Sequence, residues 1–120
     1  MEFHAIKRER IMSDWDYLAD DISNWILKYA ENNNISSLVV GVSGGIDSAV
    51  VSTLCAKTGL TTVVVNMPIK QDKSQYNLSN QHIDWLVSKW NNVESQIIDL
   101  SETYDTLYSK LSDYDVSELS

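Results

Sequence analysis

Two hydrophobic periodicities alternate along this chain of 120 residues. In some segments apolar residues recur every three or four positions, as on one face of a helix, and in others β-branched residues run on without a break, as in a buried strand. The spacing predicts helices over residues 13–32, 46–57, 74–90 and 101–111, and strands at Ser37–Val42, Thr61–Asn66 and Val93–Asp99. The predicted order is α-β-α-β-α-β-α, followed by a polar tail.

The first predicted helix carries two tryptophans, Trp15 and Trp25, on its apolar stripe. Ser13 or Asp14 is expected to cap its start, and the mixed-charge residues before it are either ragged or an extension of the helix. The helix is expected to end in the turn-prone tract Asn32–Asn34. Tryptophans on such a stripe favour a place in the core, with a subunit interface as the alternative.

Strands that alternate with helices imply right-handed crossovers and a parallel sheet with helices on both faces. The predicted fold class is therefore α/β, a three-layer, Rossmann-like parallel sheet in a single domain. Because the first strand is apolar throughout, we expect it to be buried on both faces, whereas the third is less apolar and is expected nearer an edge. Ligands of such sheets bind beyond the carboxyl ends of the strands, which here are Ser43–Gly45 and Asn66–Pro68.

The most distinctive stretch joins the first strand to the second helix. Val39–Val42 runs directly into Ser43–Gly45, and Ile46–Ser48 opens the helix. The glycines permit a tight turn and a close approach, and the turn leaves free backbone N–H groups at a helix N-terminus, which suits phosphate. The stretch is neither a Walker A loop, since no Lys follows Gly45, nor a G-x-G-x-x-G fingerprint. The alternative is a simple connection whose serines bond only to the local backbone.

Asp47 places a carboxylate in this anion-binding turn. Two negative charges about 4 Å apart repel by about 4 kcal/mol at an effective dielectric constant near 20. A divalent cation between them reverses the sign, and Mg²⁺ commonly bridges a carboxylate and substrate phosphates. Asp47 is therefore a candidate metal ligand, and the alternative is a first-turn acid that only benefits from the helix dipole.

Composition narrows the classes of function. The formal net charge of −8 argues against a general nucleic-acid or anionic-membrane surface, which would need a basic patch. No apolar run is long enough to span a membrane and the N-terminus lacks the apolar region of a signal peptide, so the expected compartment is the cytoplasm. The single cysteine, Cys55, excludes an internal disulfide and is interpreted as a small core residue.

The run S-G-G-I-D-S at Ser43–Ser48 resembles the pyrophosphate-binding loop of the N-type ATP pyrophosphatases. Within that group the chain resembles the NAD synthetase family. Val39–Ala49 is similar to the family's loop, Trp25–Tyr29 (W-I-L-K-Y) to the W-[IL]-x-x-Y segment before it, and Met67-Pro68 to the [ML]-P after its second strand. GMP synthetase relatives more often carry Val in place of Ile46 and continue D-S-S, so the loop favours NAD synthetase.

The resemblance implies a sheet of the adenine-nucleotide alpha-hydrolase type and a ligase that amidates nicotinic acid adenine dinucleotide to NAD. ATP would adenylate the carboxylate with release of pyrophosphate, and ammonia would then displace AMP. The implied cofactors are ATP and Mg²⁺, the implied partners are these small molecules and a second copy in a homodimer, and neither nucleic acid nor membrane is implied. By carry-over, the residues that bind ATP and pyrophosphate are Ser43, Gly44, Gly45, Ile46, Asp47 and Ser48. Asp47 would also hold the metal, Gly41, Val42 and Met67 would bind adenosine, and no catalytic residue beyond the loop is implied.

The family's synthetase domain is considerably longer than this chain, and its later part supplies a further metal-binding acid, a phosphate-contacting Lys and much of the dinucleotide site. The resemblance therefore implies that residues 1–120 are the N-terminal portion of one ATP-pyrophosphatase domain, inactive alone, with an incomplete sheet whose open edge attracts a partner. Two other hypotheses stay open. One is another N-type ATP pyrophosphatase, GMP synthetase-like or tRNA-thiolating, and the other is a non-catalytic nucleotide-binding module.

Four residues near the predicted site have plainer interpretations. His82 is expected to be a surface histidine rather than a catalytic one. Lys70 and Lys73 follow the second strand and are expected to be solvated rather than bound to phosphate. The alternative for Met67 is a place in the core.

Overall fold

The computed structural model describes the backbone of residues 2–69 and 73–112, with side chains from residue 14 onward. In this part of the chain four helices alternate with three strands in the predicted order. The elements are α1 (Glu2–Asn32), β1 (Ser37–Val42), α2 (Ile46–Lys57), β2 (Thr61–Asn66), α3 (Lys73–Lys89), β3 (Val93–Ile97) and α4 (Ser101–Lys110). Every predicted helix and strand is confirmed, and only the start of α1 differs substantially. The polar tail lies, from residue 113, outside the described residues.

The three strands form one parallel sheet in the order β1-β2-β3. At the carboxyl end of the central strand, Asn66 lies opposite Val42 of β1 and Ile97 of β3. Both crossovers move the chain in the same direction across the sheet, so right-handed connections place α2 and α3 on the same face. The Rossmann-like α/β class, with an incomplete sheet of three strands in the described residues, is confirmed, and β3 is at the edge as predicted.

The hydrophobic core lies between this face and the two crossover helices. It consists of one residue from each strand and three from α2 and α3: Val42, Val64, Val93, Ala56, Ile83 and Leu86. Alternation along a strand turns Val39 to the opposite face, where 72% of its surface is exposed. The prediction that β1 is buried on both faces is therefore wrong. Neither crossover helix covers that face, and α4 contributes no buried residue.

Helix α1 begins at Glu2, not near Ser13. The predicted cap at Ser13 or Asp14 is therefore wrong, and the alternative that the preceding residues extend the helix is confirmed. The physical reason is visible in the sequence, because no glycine or proline interrupts residues 2–32. The end of α1 is as predicted, and Asn34 follows it with a φ of 57°.

Helix α1 packs on α2 with one of its faces. The Ser23 hydroxyl donates to the Leu54 carbonyl over 2.9 Å, and Asp20 pairs with Lys57 at 2.9 Å. Trp15 and Trp25 are 75% and 66% exposed, so their predicted place in the core is wrong. At 3.6 residues per turn, the stripe that carries them is rotated by about 120° from the face that packs on α2.

Two smaller features position the remaining segments. Gly59, with a φ of +82°, follows α2 and ends it as predicted. Strand β3 ends two residues earlier than predicted, and beyond it the Asp99 carboxylate accepts the Ser101 N–H over 2.9 Å at the start of α4. Among the described residues no helix has the length and apolar character that crossing a membrane requires.

Candidate functional site: the turn between β1 and α2

The turn Ser43–Gly45 lies at the carboxyl edge of the sheet, between the last residue of β1 and the first of α2. Parallel pairing brings the end of β2 to the same edge, because Val42 is opposite Asn66. Met67 consequently reaches back over β1, and its terminal methyl carbon lies 3.0 Å from where a Cβ on Gly41 would stand. The two distinctive segments of the sequence are thus adjacent in space.

Gly44 is a glycine for two structural reasons. Its φ of +86° lies in the left-handed region that side chains disfavour. A Cβ at this position would stand 2.9 Å from the Gln75 carbonyl oxygen and 3.2 Å from the Ser79 hydroxyl. The turn therefore rests directly on the backbone of α3, and its conformation depends on the absence of a side chain at Gly44.

Gly45 is different, because the fold of the chain does not require a glycine there. Its φ of −85° and ψ of 164° are open to any residue. A Cβ would meet only the Ser43 hydroxyl, at an ordinary 3.5 Å. Gly45 lines an open cavity of about 440 Å³, so the missing side chain leaves free space on the cavity side.

Two serine side chains cross-link the turn. The Ser43 N–H donates to the Ser48 hydroxyl oxygen over 3.1 Å, and the two hydroxyls are 3.2 Å apart. Ser48 in turn reaches the Gly45 carbonyl at 3.2 Å. Both serines thus have partners within the turn, as their local-backbone interpretation predicts, and these bonds hold the turn in shape.

The first turn of α2 presents backbone donors to the cavity edge. The first backbone hydrogen bond of the helix runs from the Ala49 N–H to the Gly45 carbonyl. The amides of Ile46, Asp47 and Ser48 precede it and have no acceptor within the helix, and the N-cap residue Gly45 has no side chain to accept from them. Together with the positive end of the helix dipole, these donors suit an anion.

Asp47 is exposed in the same first turn. Within the described residues no cluster of three or more His, Cys, Asp or Glu side chains is arranged to hold a metal ion. A cation at Asp47 would therefore take most of its ligands from phosphate oxygens and water. That donor set of one carboxylate with phosphate and water suits Mg²⁺, which keeps several waters and seldom occupies an all-protein cage.

The residues predicted to bind adenosine differ in what they can offer. Met67 is 41% exposed, so it is not a core residue and its side chain is free to contact a ligand. Val42 is 4% exposed and belongs to the core, which leaves only its backbone for a ligand. Gly41 has no side chain and lies beside Met67.

The two lysines after β2 were expected to be solvated. Lys73 is exposed at the start of α3, and Lys70 lies outside the described residues.

His82 is the residue that the sequence interpretation missed. It is half-buried, lines the same cavity as Gly44 and Gly45, and its Nε2 is 2.9 Å from the hydroxyl oxygen of Ser52. Burial lowers the pKa of His82, while a hydrogen bond with the Ala49 backbone works in the opposite direction. His82 is therefore partly buried on a cavity wall and not fully exposed, and its non-catalytic role stays a prediction.

A signal for the position of His82 was available in the sequence. The buried residues of α3, including Ser79 and Leu86, recur at helical spacing, and position 82 lies on their side of the helix. The prediction for Cys55 is confirmed, because the residue is buried. Burial raises the pKa of its thiol, which is typical of a core cysteine.

Relatives of known name share the fold and sequence of this chain. An NH3-dependent NAD+ synthetase from Finegoldia magna is 35% identical over 91 residues, which cover 75% of this chain and 36% of that relative. Another, from Carboxydothermus hydrogenoformans, is 28% identical over 102 residues, covering 82% of this chain and 39% of that relative.

Two solved structures superpose on most of the chain. An NMN synthetase from Francisella tularensis does so with a TM-score of 0.74 at 26% identity, over 83% of this chain and 40% of that one. An NH3-dependent NAD synthetase from Campylobacter jejuni gives 0.73 at 25% identity, over 88% and 44%. The chain therefore spans about two-fifths of the length of the relatives it matches. The family model for NAD synthase matches residues 18–119, and this chain therefore belongs to the NAD synthase family.

Proposed function

We propose that this chain supplies the ATP- and pyrophosphate-binding part of an NH3-dependent NAD synthetase, and that residues 1–120 form the N-terminal portion of its single ATP-pyrophosphatase domain. The reaction is the ATP-dependent amidation of nicotinic acid adenine dinucleotide to NAD, with ammonia as nitrogen donor. The observation that carries the proposal is the turn itself, where the first, uncapped turn of α2 begins beside an open cavity that Gly45 and Ile46 line. Membership of the NAD synthase family supports the choice of reaction.

In this proposal the residues of the turn and the first turn of α2 hold pyrophosphate: Ser43, Gly44, Gly45, Ile46, Asp47 and Ser48. The amides would stabilise the negative charge that builds on the departing pyrophosphate while the substrate carboxylate is adenylated. They are fixed before the reaction by the Ser43–Ser48 bonds and by the contact of Gly44 with α3, so little reorganisation is needed. The adenosine would lie against Met67 and the backbone of Gly41 and Val42.

Asp47 would bind Mg²⁺ together with the phosphates. Mg²⁺, when bound, would neutralise phosphate charge and remove the repulsion between the carboxylate and the phosphates. Asp47 is exposed and lies on the first turn of α2, so its carboxylate is available to an ion held by phosphates at the adjacent amides.

Titration calorimetry with ATP and Mg²⁺ tests the binding part of the proposal. Asp47→Ala should weaken binding at least tenfold, since it removes the metal ligand, and Gly45→Ala should weaken it by filling the open side of the turn. Asp16→Ala, which removes an exposed acid from α1, is the matched control and should bind as the unchanged chain does. Equal binding by the unchanged chain and the Asp47 variant would overturn the assignment of the turn.

The acceptor is a separate question, because one of the matched structures is an NMN synthetase. A relative that spans the full domain and carries this chain's residues 18–119 should release pyrophosphate with ATP, ammonia and nicotinic acid adenine dinucleotide. We expect nicotinic acid mononucleotide to be a poorer acceptor, and the 120-residue chain alone to bind ATP without turnover. Preference for the mononucleotide would favour the NMN-forming activity. A preference for an unrelated acceptor would point to another N-type pyrophosphatase.

We also propose that two copies pair through the exposed stripe of α1. Its large apolar residues alternate at spacings of three and four, which is the pattern of a helix-pairing seam: Trp15, Leu18, Ile22, Trp25 and Tyr29. In an antiparallel pair that places Ile22 opposite Trp25 of the second copy, Asp21 falls opposite Lys28. The two symmetry-related pairs of opposite charges therefore lie along the same side of the seam, and Ala19 and Ile26 lie on its other side.

Sedimentation analysis tests this pairing. Asp21→Lys should shift the chain toward monomer by placing like charges across the seam, and the double exchange Asp21→Lys with Lys28→Asp should restore the dimer. Leu107→Lys alters an exposed apolar residue on α4 outside the seam and serves as the control. A chain that is monomeric at tens of micromolar, or a dimer insensitive to the charge exchange, would contradict the proposed seam.

A further inference from the structure

The cavity beside the anion-binding turn has a second wall, which the proposed function does not use. The turn and α2 provide one wall and α3 provides the other, with Leu78, Gln81 and His82. Among the described residues that line the cavity, His82 alone can carry a charge. The others are Val42, Gly44, Gly45, Ile46, Ala49, Leu78 and Gln81. A cavity next to a polyanion site thus has one ionisable side chain, and that side chain is a base.

The hydrogen bonds of His82 determine which ring nitrogen holds its proton. The Ser52 hydroxyl lies 2.7 Å from the Ser48 carbonyl and 3.1 Å from the Ala49 carbonyl, and both of these contacts require its single proton. Ser52 can therefore only accept from His82 Nε2, 2.9 Å away. This arrangement assigns the proton of the neutral ring to Nε2, on the side where the Ala49 carbonyl also lies near the Ser52 hydroxyl, and leaves Nδ1 as the atom that titrates.

The same bonds fix the ring relative to the turn. Ser52 is fully buried, and its hydroxyl bonds to the carbonyl of Ser48, the residue whose side chain cross-links the turn. On its other side the imidazole stacks on Trp85, with ring centroids 5.6 Å apart. His82 is thus held at a fixed place on the cavity wall, one helical turn from the donors of α2.

The charged groups on the surrounding elements leave His82 without a charged partner in the described residues. On α2 these groups are Asp47 in the first turn and Lys57 in the last, which lines a second cavity together with His82 and pairs with Asp20 of α1. On α3 itself they are Lys73 in the first turn, Asp84 and Lys89, and the ammonium of Lys89 lies 5.1 Å above the Trp85 ring. Burial therefore keeps the imidazole neutral near pH 7 while the cavity is empty, and the pKa of His82 stays below its ordinary value.

We propose that His82 is the cationic wall of the polyphosphate site, and that a bound pyrophosphate or nucleotide draws a proton onto its Nδ1. This inference rests on the proposed function, since it needs phosphate at the turn. Negative charge on the opposite wall favours the imidazolium, and by linkage the imidazolium raises the affinity for phosphate by the same factor. Binding of polyphosphate is then coupled to uptake of a proton.

Histidine NMR tests the coupling directly. The chain has two histidines, His4 and His82, so His4 provides an internal reference. Addition of inorganic pyrophosphate with Mg²⁺ should raise the midpoint of the His82 titration by about one pH unit, because an opposite charge nearby favours the protonated ring. The His4 midpoint should not move. An unchanged His82 midpoint at saturating pyrophosphate would overturn the inference.

Two substitutions separate charge from positioning. His82→Gln retains an amide that can donate to Ser52 but cannot become charged, whereas Ser52→Ala removes the bond and retains the ring. Pyrophosphate affinity of His82→Gln should be about fivefold to tenfold weaker than that of the unchanged chain at pH 6 and equal to it within about twofold at pH 8.5. A role in positioning alone predicts the reverse, with full affinity for His82→Gln at both pH values and a loss for Ser52→Ala.

The outcomes distinguish this inference from the proposed function. Gln81→Ala alters an uncharged residue of the same wall and should show the pH profile of the unchanged chain. If the unchanged chain binds no pyrophosphate at any pH, the proposed function fails and this inference fails with it. If binding is normal and His82→Gln has the same pH profile as the unchanged chain, only the role of His82 is overturned.

Discussion

At the scale of single residues, the turn shows that two adjacent glycines have different reasons to be glycine. Gly44 combines a left-handed φ with direct contact on the α3 backbone, whereas Gly45 is extended and has free space around it. The sequence presents them as an equivalent pair. The distinction depends on Gln75 and Ser79, which are some thirty residues away in the chain and reach the turn only through the fold.

Gly44→Ala should therefore destabilise the chain strongly. Left-handed strain of about 1–2 kcal/mol adds to the overlap with the Gln75 carbonyl oxygen, for a total near 3 kcal/mol. Gly59→Ala is the matched control, since Gly59 has a similar φ and nothing within 4 Å of a Cβ, and it should cost about 1 kcal/mol. Urea denaturation measures both. Equal losses would mean that α3 does not clamp the turn.

At the scale of elements, the arrangement of the helices follows from the order of the strands. The sheet extends in one direction from β1 to β3, so α2 and α3 share a face and bury one cluster between them. The boundaries of these elements were predictable because hydrophobic period and glycine punctuation are local properties. The start of α1 was not, since residues 2–12 lack a clear apolar stripe and only the absence of a helix breaker indicated that the helix continues.

The packing of α3 can be tested with two neighbouring residues. Leu86 is fully buried and Val87, next to it, is exposed. Leu86→Ala should lower the free energy of unfolding by about 3 kcal/mol through lost burial and a cavity, and Val87→Ala by less than about 0.5 kcal/mol. Thermal and urea unfolding give the two values, and a similar cost for both would contradict the assignment of the buried face.

At the scale of the whole molecule, the β1 side of one sheet face and one stripe of α1 are exposed in the described residues. Val39 lies exposed on that face, and in the sheet of residues 37–97 that the structure describes, β1 has β2 as its one neighbour. An apolar face next to an unpaired strand edge favours self-association. This surface lies in a chain that spans about two-fifths of the length of its relatives.

Val39→Lys should reduce aggregation without a loss of stability. The substitution places a charge on the open face, and because the side chain is exposed the free energy of unfolding should change by less than about 0.5 kcal/mol. Light scattering during concentration and urea denaturation measure the two effects. Val64→Lys, at a fully buried position of β2, is the contrasting variant and should not fold. Strong destabilisation by Val39→Lys would show that this face is covered.

The sequence by itself determined the order of helices and strands, the parallel Rossmann-like class and the position of the glycine turn between β1 and α2. These depend on local hydrophobic period, on turn residues and on contiguous motifs such as Ser43–Ser48. Only the tertiary structure decided which face of β1 is open, that Trp15 and Trp25 are exposed, and that His82 shares a cavity with the turn. The physical reason is that burial and proximity are set by what packs against a side chain, and those partners lie far away along the chain.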